Sequence, residues 1–155
     1  MNLFAAFDTR TGKVYGMTAA RKRQAEFIAF LEQLDREIPA TVKTVHVVLD
    51  NLRMHKGKQV QAWLAKHPRF VFHHPPVHCS WMNQVEQWFS ILQRKRLRIA
   101  DFADKTALAE RLHAFISEWN QVAHPFNWST KSVAKVMAKC KLTGDPPEEN
   151  QTVAA

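Results

Sequence analysis

The sequence is short of cysteine, of acids and of long apolar runs, and each shortage narrows what the chain is. Cys79 and Cys140 are the only cysteines, too few for a disulfide framework, so a reducing cytoplasm is the expected compartment. No stretch approaches the roughly eighteen uninterrupted apolar residues that a membrane span needs. The opening MNLFAAFDTR has no basic start followed by an apolar segment and does not read as a secretory signal. Aspartate and glutamate number 14 against 22 lysines and arginines, giving a formal net charge of +8. A basic surplus of this size often marks a polyanionic partner, although many basic proteins bind none.

Apolar residues are plentiful. They make up 46% of the chain, with ten phenylalanines and five tryptophans, which excludes a wholly disordered protein. A length of 155 residues suits one domain with a real core. There are no internal repeats and no linker that would split it.

The apolar spacing predicts the elements. Leu3 to Phe7 and Lys13 to Met17 read as two strands around the turn DTRTGK. Phe27, Phe30, Leu31 and Leu34 fall at helical spacing in a helix that Pro39 closes. TVHVVLD lacks clean alternation, as expected of a central parallel strand covered on both faces. A second helix follows with Val60, Trp63 and Leu64 inward, then the short strand RFVFHH. A long helix runs from about Trp81 to Leu97 with Val85, Trp88, Phe89 and Leu92 as its core stripe. KTALAERLHAFISEWNQVA is a further helix and STKSVAKVMAKC a last one. Residues 143–155 read as a disordered tail behind one domain over 1–142. Strands interleaved with helices imply an α/β layer fold, and the leading hairpin makes the sheet mixed.

Ligand sites of open α/β sheets collect at the carboxyl ends of the strands, where VHVVLDN places Asp50. Glu86 stands beside the apolar stripe of the long helix, and Asn83 and Ser90 share its polar flank. A strand-end acid and a helix acid that converge are what a hard divalent cation requires, since it takes oxygen ligands. Two such ions clamp the attacking and leaving oxygens of a phosphodiester displacement. Spacing alone does not decide this, because a lone strand-end aspartate is most often a turn former and a lone helix glutamate a solvated side chain.

The words around the two acids decide more. Leu49-Asp50-Asn51 with His55, then Ser80-Trp81-Met82-Asn83, Gln84-Val85-Glu86 and Trp88-Phe89-Ser90, closely resemble the DDE catalytic domain of the IS630 family of bacterial transposases, related to the Tc1/mariner group. The flanks LFAAFDTRTGKVYG and WNQVAHPFNWST match as well, so the resemblance covers roughly residues 2–131. Met82 where leucine is usual and Cys79 where serine is common are mild departures. The resemblance implies an RNase H-like mixed sheet flanked by helices, with Asp50 and Glu86 as catalytic acids and ligands of Mg²⁺, or of Mn²⁺ in its place. It implies Asn51, His55 and Asn83 as supporting residues. The reaction it implies is hydrolysis at transposon ends followed by strand transfer into target DNA, by a bacterial, nucleoid-associated protein.

One departure matters. The family's first acid lies on a strand ahead of the hairpin that opens this chain, and Asp8 sits in a turn where the family also has a residue without catalytic duty. The expectation is therefore a DDE domain lacking its first strand and first acid, weak in metal binding and impaired as an enzyme. An unpaired strand edge then favours self-association or pairing with a companion N-terminal segment. The alternative is a catalytically inactive DNA-binding or oligomerising remnant; a nuclease of the same fold outside transposition fits the acids but not the flanking words.

Basic residues supply the DNA surface. Arg94, Lys95, Arg96 and Arg98 follow Glu86 on the same helix and are expected to contact phosphate of double-stranded DNA. Arg21, Lys22 and Arg23 cluster at a helix start, which the helix dipole disfavours. His73, His74, His78 and Cys79 match no standard zinc spacing. Trp81, Trp88, Trp119 and Trp128 are expected in the core.

Overall fold

The computed structural model describes residues 1–50, 52–74, 83–97 and 102–127. Strands β1 (Asn2–Phe7) and β2 (Val14–Ala19) pair antiparallel, with Asn2 opposite Ala19 and Phe7 opposite Val14. Asp8 builds the turn between them: its carboxylate accepts from the Arg10 N–H at 2.9 Å and from the Thr11 hydroxyl at 2.7 Å. Gly12 closes the turn at φ +76°, the left-handed region that favours glycine. A Cβ there would also run into the backbone of His124. Gly12→Ala is therefore expected to cost about 3 kcal/mol, read as a fall in the urea midpoint, because strain and overlap add.

The hairpin is apolar on both faces, and side-chain alternation divides them. Phe4 and Ala6, with Tyr15, Met17 and Ala19, join a first core; Leu3, Ala5 and Phe7, with Val14, join a second. Helix α1 (Gln24–Glu37) brings Phe27, Phe30, Leu31 and Leu34 to the first core. It stops where Ile38 turns extended, as a residue before proline is driven to do. Arg69 gathers the carbonyls at and just beyond the helix end: its guanidinium donates to those of Asp35 (2.5 Å), Ile38 (3.4 Å), Pro39 (3.2 Å) and Val42 (3.4 Å), and to Asp35 Oδ1 at 2.7 Å.

Strand β3 (Val45–Val48) runs parallel to β4 (Phe70–His73), joined through a 3₁₀ turn at Arg53–Lys56 and helix α2 (Lys58–Lys66). Val45 and Val47 are buried and the residues between them half-buried, so both faces of β3 are covered. Helix α3 (Gln84–Leu92) widens into a π-helical turn at Gln93–Leu97, and α4 (Lys105–Gln121) follows. Val85, Trp88 and Leu92 meet Leu112, Phe115 and Ile116 of α4 in the second core. Asn120 pins α4 to β2: its amide accepts from the Val14 N–H and donates to the Val14 carbonyl, both at 2.8 Å.

The α/β class and the order of elements agree with the sequence reading. The described strands form one antiparallel pair and one parallel pair that are not hydrogen-bonded to each other, where a single mixed sheet was expected. The expected helix at 129–140 and the tail at 143–155 lie outside the described residues.

Candidate functional site

Leu49 is buried and extends the β3–β4 ladder, its N–H donating to the His73 carbonyl at 2.9 Å. Asp50 follows directly and leaves the sheet at its carboxyl end. The 3₁₀ turn then brings His55 back beneath it. Nδ1 of His55 lies 2.8 Å from Asp50 Oδ1 and 3.2 Å from the Asp50 carbonyl oxygen; the Nδ1–H tautomer donates to the carbonyl, with the carboxylate close beside it. The ring packs on Phe27, with centroids 4.5 Å apart.

Burial pushes the His55 imidazole below its ordinary value, with Lys22 and His74 adding like charge, and Asp50 opposes the shift only in part. His73 moves the same way, first by burial and then through His46 and His74. A histidine whose folded value lies below its unfolded value of about 6.5 favours folding when neutral, and that contribution is lost as pH falls below 6.5. The thermal midpoint is expected to drop between pH 7 and pH 5, and His55→Asn to flatten the drop. A midpoint constant over that window would refute it.

Asp50, His55, Asn83 and Glu86 line one cavity of about 210 Å³. Glu86 lies exposed in the first turn of α3, where the helix dipole favours an acid. Asn83 caps that helix, its side-chain oxygen accepting from the Val85 N–H at 3.4 Å, which fixes where Glu86 starts. Ser90 is spent on the helix, its hydroxyl donating to the Glu86 carbonyl at 3.1 Å. Asp8 is held in its own turn and is not among the residues lining the cavity.

Two lining residues were not singled out for the site. Lys22 belongs to the basic cluster before α1, and Arg23 beside it is neutralised by Glu26 at 2.6 Å. Gln84 also lines the cavity, with a buried side-chain oxygen that accepts no hydrogen bond among the described residues. Its place two residues before Glu86 was the available signal.

The basic run divides. Arg94 and Lys95 are exposed, with Arg94 Nε donating to the Ser90 carbonyl at 3.2 Å. Arg96 is occupied: it pairs with Glu118 at 2.5 Å and lies over the Phe115 ring at 5.4 Å. Asn51, Arg98, His78, Cys79, Trp81 and Trp128 lie outside the described residues. Trp88 is fully buried, and Trp119 is half-buried with its indole N–H donating to the Gly12 carbonyl at 2.8 Å.

The donor set at the cavity fits a hard cation. Asp50 Oδ1 is buried and, though His55 stands beside it, accepts no well-aligned hydrogen bond among the described residues. An oxygen in that state is suited to a cation, and Glu86 offers a second carboxylate on the same cavity. Among the described residues no cluster of three or more His, Cys, Asp or Glu is assembled to hold a metal. His46 and His73 form a pair instead, Nδ1 to Nε2 at 2.9 Å. No helix among the described residues is long and apolar enough to cross a membrane.

Comparison with known proteins bears on these residues directly. A family profile described as DDE superfamily endonuclease matches residues 1–109, a span that contains both Asp50 and Glu86. The chain is also similar to the insertion element IS630 39 kDa protein of Shigella sonnei, 28% identical over 134 residues. That match covers 86% of this chain and 38% of the relative's length. With two carboxylates on one cavity at the end of a parallel strand pair, and a family match across most of its length, the chain belongs to the DDE superfamily endonucleases.

Proposed function

We propose that the chain is the catalytic part of a DNA transposase that cuts phosphodiester bonds at transposon ends and joins them to target DNA, its strands and helices forming parts of an RNase H-like sheet. The observation that carries this is the shared cavity of Asp50 and Glu86, 36 positions apart in sequence. Asp50 and Glu86 would hold Mg²⁺ or Mn²⁺. When bound, the cation polarises the phosphoryl oxygens and supports the attacking and leaving oxygens of the displacement. His55, kept neutral at pH 7 by its burial, anchors the Asp50 backbone by donating from Nδ1 to the Asp50 carbonyl. Asn83 sets the start of α3 and so the height of Glu86.

Double-stranded DNA is the substrate, and Arg94 and Lys95 are the exposed cations that would meet its backbone. Lys95→Ala is expected to weaken DNA binding uniformly across sequences and to lower the slope of log K against log salt by about one. Arg96→Ala is expected to leave the slope unchanged and to lower the thermal midpoint, because its guanidinium is bound to Glu118.

The deciding experiment is nicking of terminal-repeat DNA by the purified chain with Mg²⁺ or Mn²⁺, against Asp50→Ala and Glu86→Ala. Cutting that both substitutions abolish supports the endonuclease. DNA binding with no cutting under either cation leaves a DNA-binding remnant.

A further inference from the structure

The β3–β4 pair has two unlike faces. Val45, Val47 and Phe70 are buried in the first core, and Phe72 packs against it. The register sets His46 opposite Val71 and Val48 opposite His73, so these four share the other face, where Val71 is exposed. His46 and His73 are diagonal neighbours on it, within reach of each other's rings. The rings meet: His46 Nδ1 lies 2.9 Å from His73 Nε2, with centroids 5.1 Å apart and planes tilted by 38°. Among the described residues neither ring makes another hydrogen bond, and no carboxylate pairs with either. Burial, and then like charge from His46 and His74, hold His73 below its ordinary value, so its ring is neutral at pH 7. Neutral imidazole is the form that binds metal.

We propose that His46 and His73 form a two-imidazole site for a divalent transition cation, Cu²⁺ or Ni²⁺, that clasps β3 to β4. An imidazole nitrogen bound to zinc sits at about 2.1 Å, and two at that distance and at right angles stand about 3.0 Å apart. The 2.9 Å found here is nearly that spacing. The nitrogens therefore need no drawing apart: each ring turns until its lone pair meets the ion. The proton of their hydrogen bond passes to the far nitrogen of its own ring, and none is released. Two nitrogens at right angles, with water filling the other positions, suit the tetragonal shell of Cu²⁺ or Ni²⁺. A structural zinc site closes with four protein ligands, and among the described residues no third His, Cys, Asp or Glu joins the pair. Mg²⁺ takes oxygen ligands and is not served. The site uses neither Asp50 nor Glu86, so it stands whether or not the chain cuts DNA. Its consequence is mechanical: β3 runs on toward Asp50, and a clasp here stiffens the strand pair that presents that acid.

The test melts the intact chain, first freed of metal by a chelator, with Ni²⁺, Cu²⁺ or Mg²⁺ added. Saturating Ni²⁺ is expected to raise the midpoint by about 3 °C or more, Cu²⁺ to do so at lower concentration, and Mg²⁺ to have no effect. Amide exchange at 45–48 and 70–73 should slow about tenfold or more in Ni²⁺. Both effects should vanish in His46→Gln and in His73→Gln, and persist in His74→Gln, Asp50→Ala and Glu86→Ala. Effects that survive either substitution in the pair, or that depend on His74 or on the acids, would overturn the proposal. So would the absence of any effect, which would leave a hydrogen-bonded pair only. Should either variant fail to fold, the electron paramagnetic resonance of the unsubstituted chain with one equivalent of Cu²⁺ decides. Splitting from two imidazole nitrogens is expected, and splitting from one or none would overturn the site. Nicking is lost with the acids and the clasp with the histidines, so the two readings fail separately.

Discussion

Asp50→Asn is expected to lower cation-dependent nicking of terminal-repeat DNA about 1,000-fold while leaving DNA affinity within twofold. The magnitude follows from charge: a cation that stabilises the transition state by several kcal/mol does so only while held, and about 4 kcal/mol corresponds to roughly three decades in rate. Asparagine keeps the size and one oxygen of the side chain but removes the negative charge. The fold should tolerate it, since Asp50 Oδ1 accepts no well-aligned hydrogen bond among the described residues and His55 keeps the Asp50 carbonyl at 3.2 Å. An unchanged thermal midpoint beside lost nicking would mark a ligand. A midpoint that falls along with activity would instead mark Asp50 as a brace for the 3₁₀ turn, and nicking that survives would remove Asp50 from the chemistry.

The second large effect lies in the core. Trp88→Ala is expected to cost about 4 kcal/mol, close to the whole stability of a marginal domain, and to leave a chain that melts without a sharp transition. Trp88 is wholly buried, edge-on to Phe89 at 5.3 Å and tilted against Phe115 at 5.8 Å. Its indole N–H is buried and has no hydrogen-bond partner among the described residues. Trp88→Phe therefore gives up volume but no hydrogen bond, and should lose less than half as much in a urea titration. Equal losses for the two variants would show that the indole N–H matters after all.

Local chemistry made most of the elements legible. Pro39 stops α1 one residue beyond Ile38, and the turn residues of DTRTGK bend the hairpin, because both act through backbone sterics over a few residues. Val85, Trp88 and Leu92 lie inward at helical spacing as read. The sharing of one cavity by Asp50 and Glu86 was not legible from spacing; it came through the resemblance, because a contact across 36 positions leaves no local periodicity. Lys22 and Gln84 went unassigned for the same reason, each reaching the cavity from an element whose own pattern is complete without it. The fate of Arg96 was hidden too. Its partner Glu118 sits on another helix, and a run of cations reads alike whether or not one of them is paired.

The π-helical turn at Gln93–Leu97 explains how Arg96 is parted from its neighbours. An α-helix continued from Leu92 would turn positions 95 and 96 toward the core, sending a lysine where Leu97 now packs. The i to i+5 turn delays the inward position, so Arg96 and Leu97 face α4 while Lys95 stays in water. The bulge thus acts as a phase adjuster: it takes up one extra residue, so deleting Arg94 would restore a plain α-helical turn with Arg96 still facing Glu118 and Leu97 still inward.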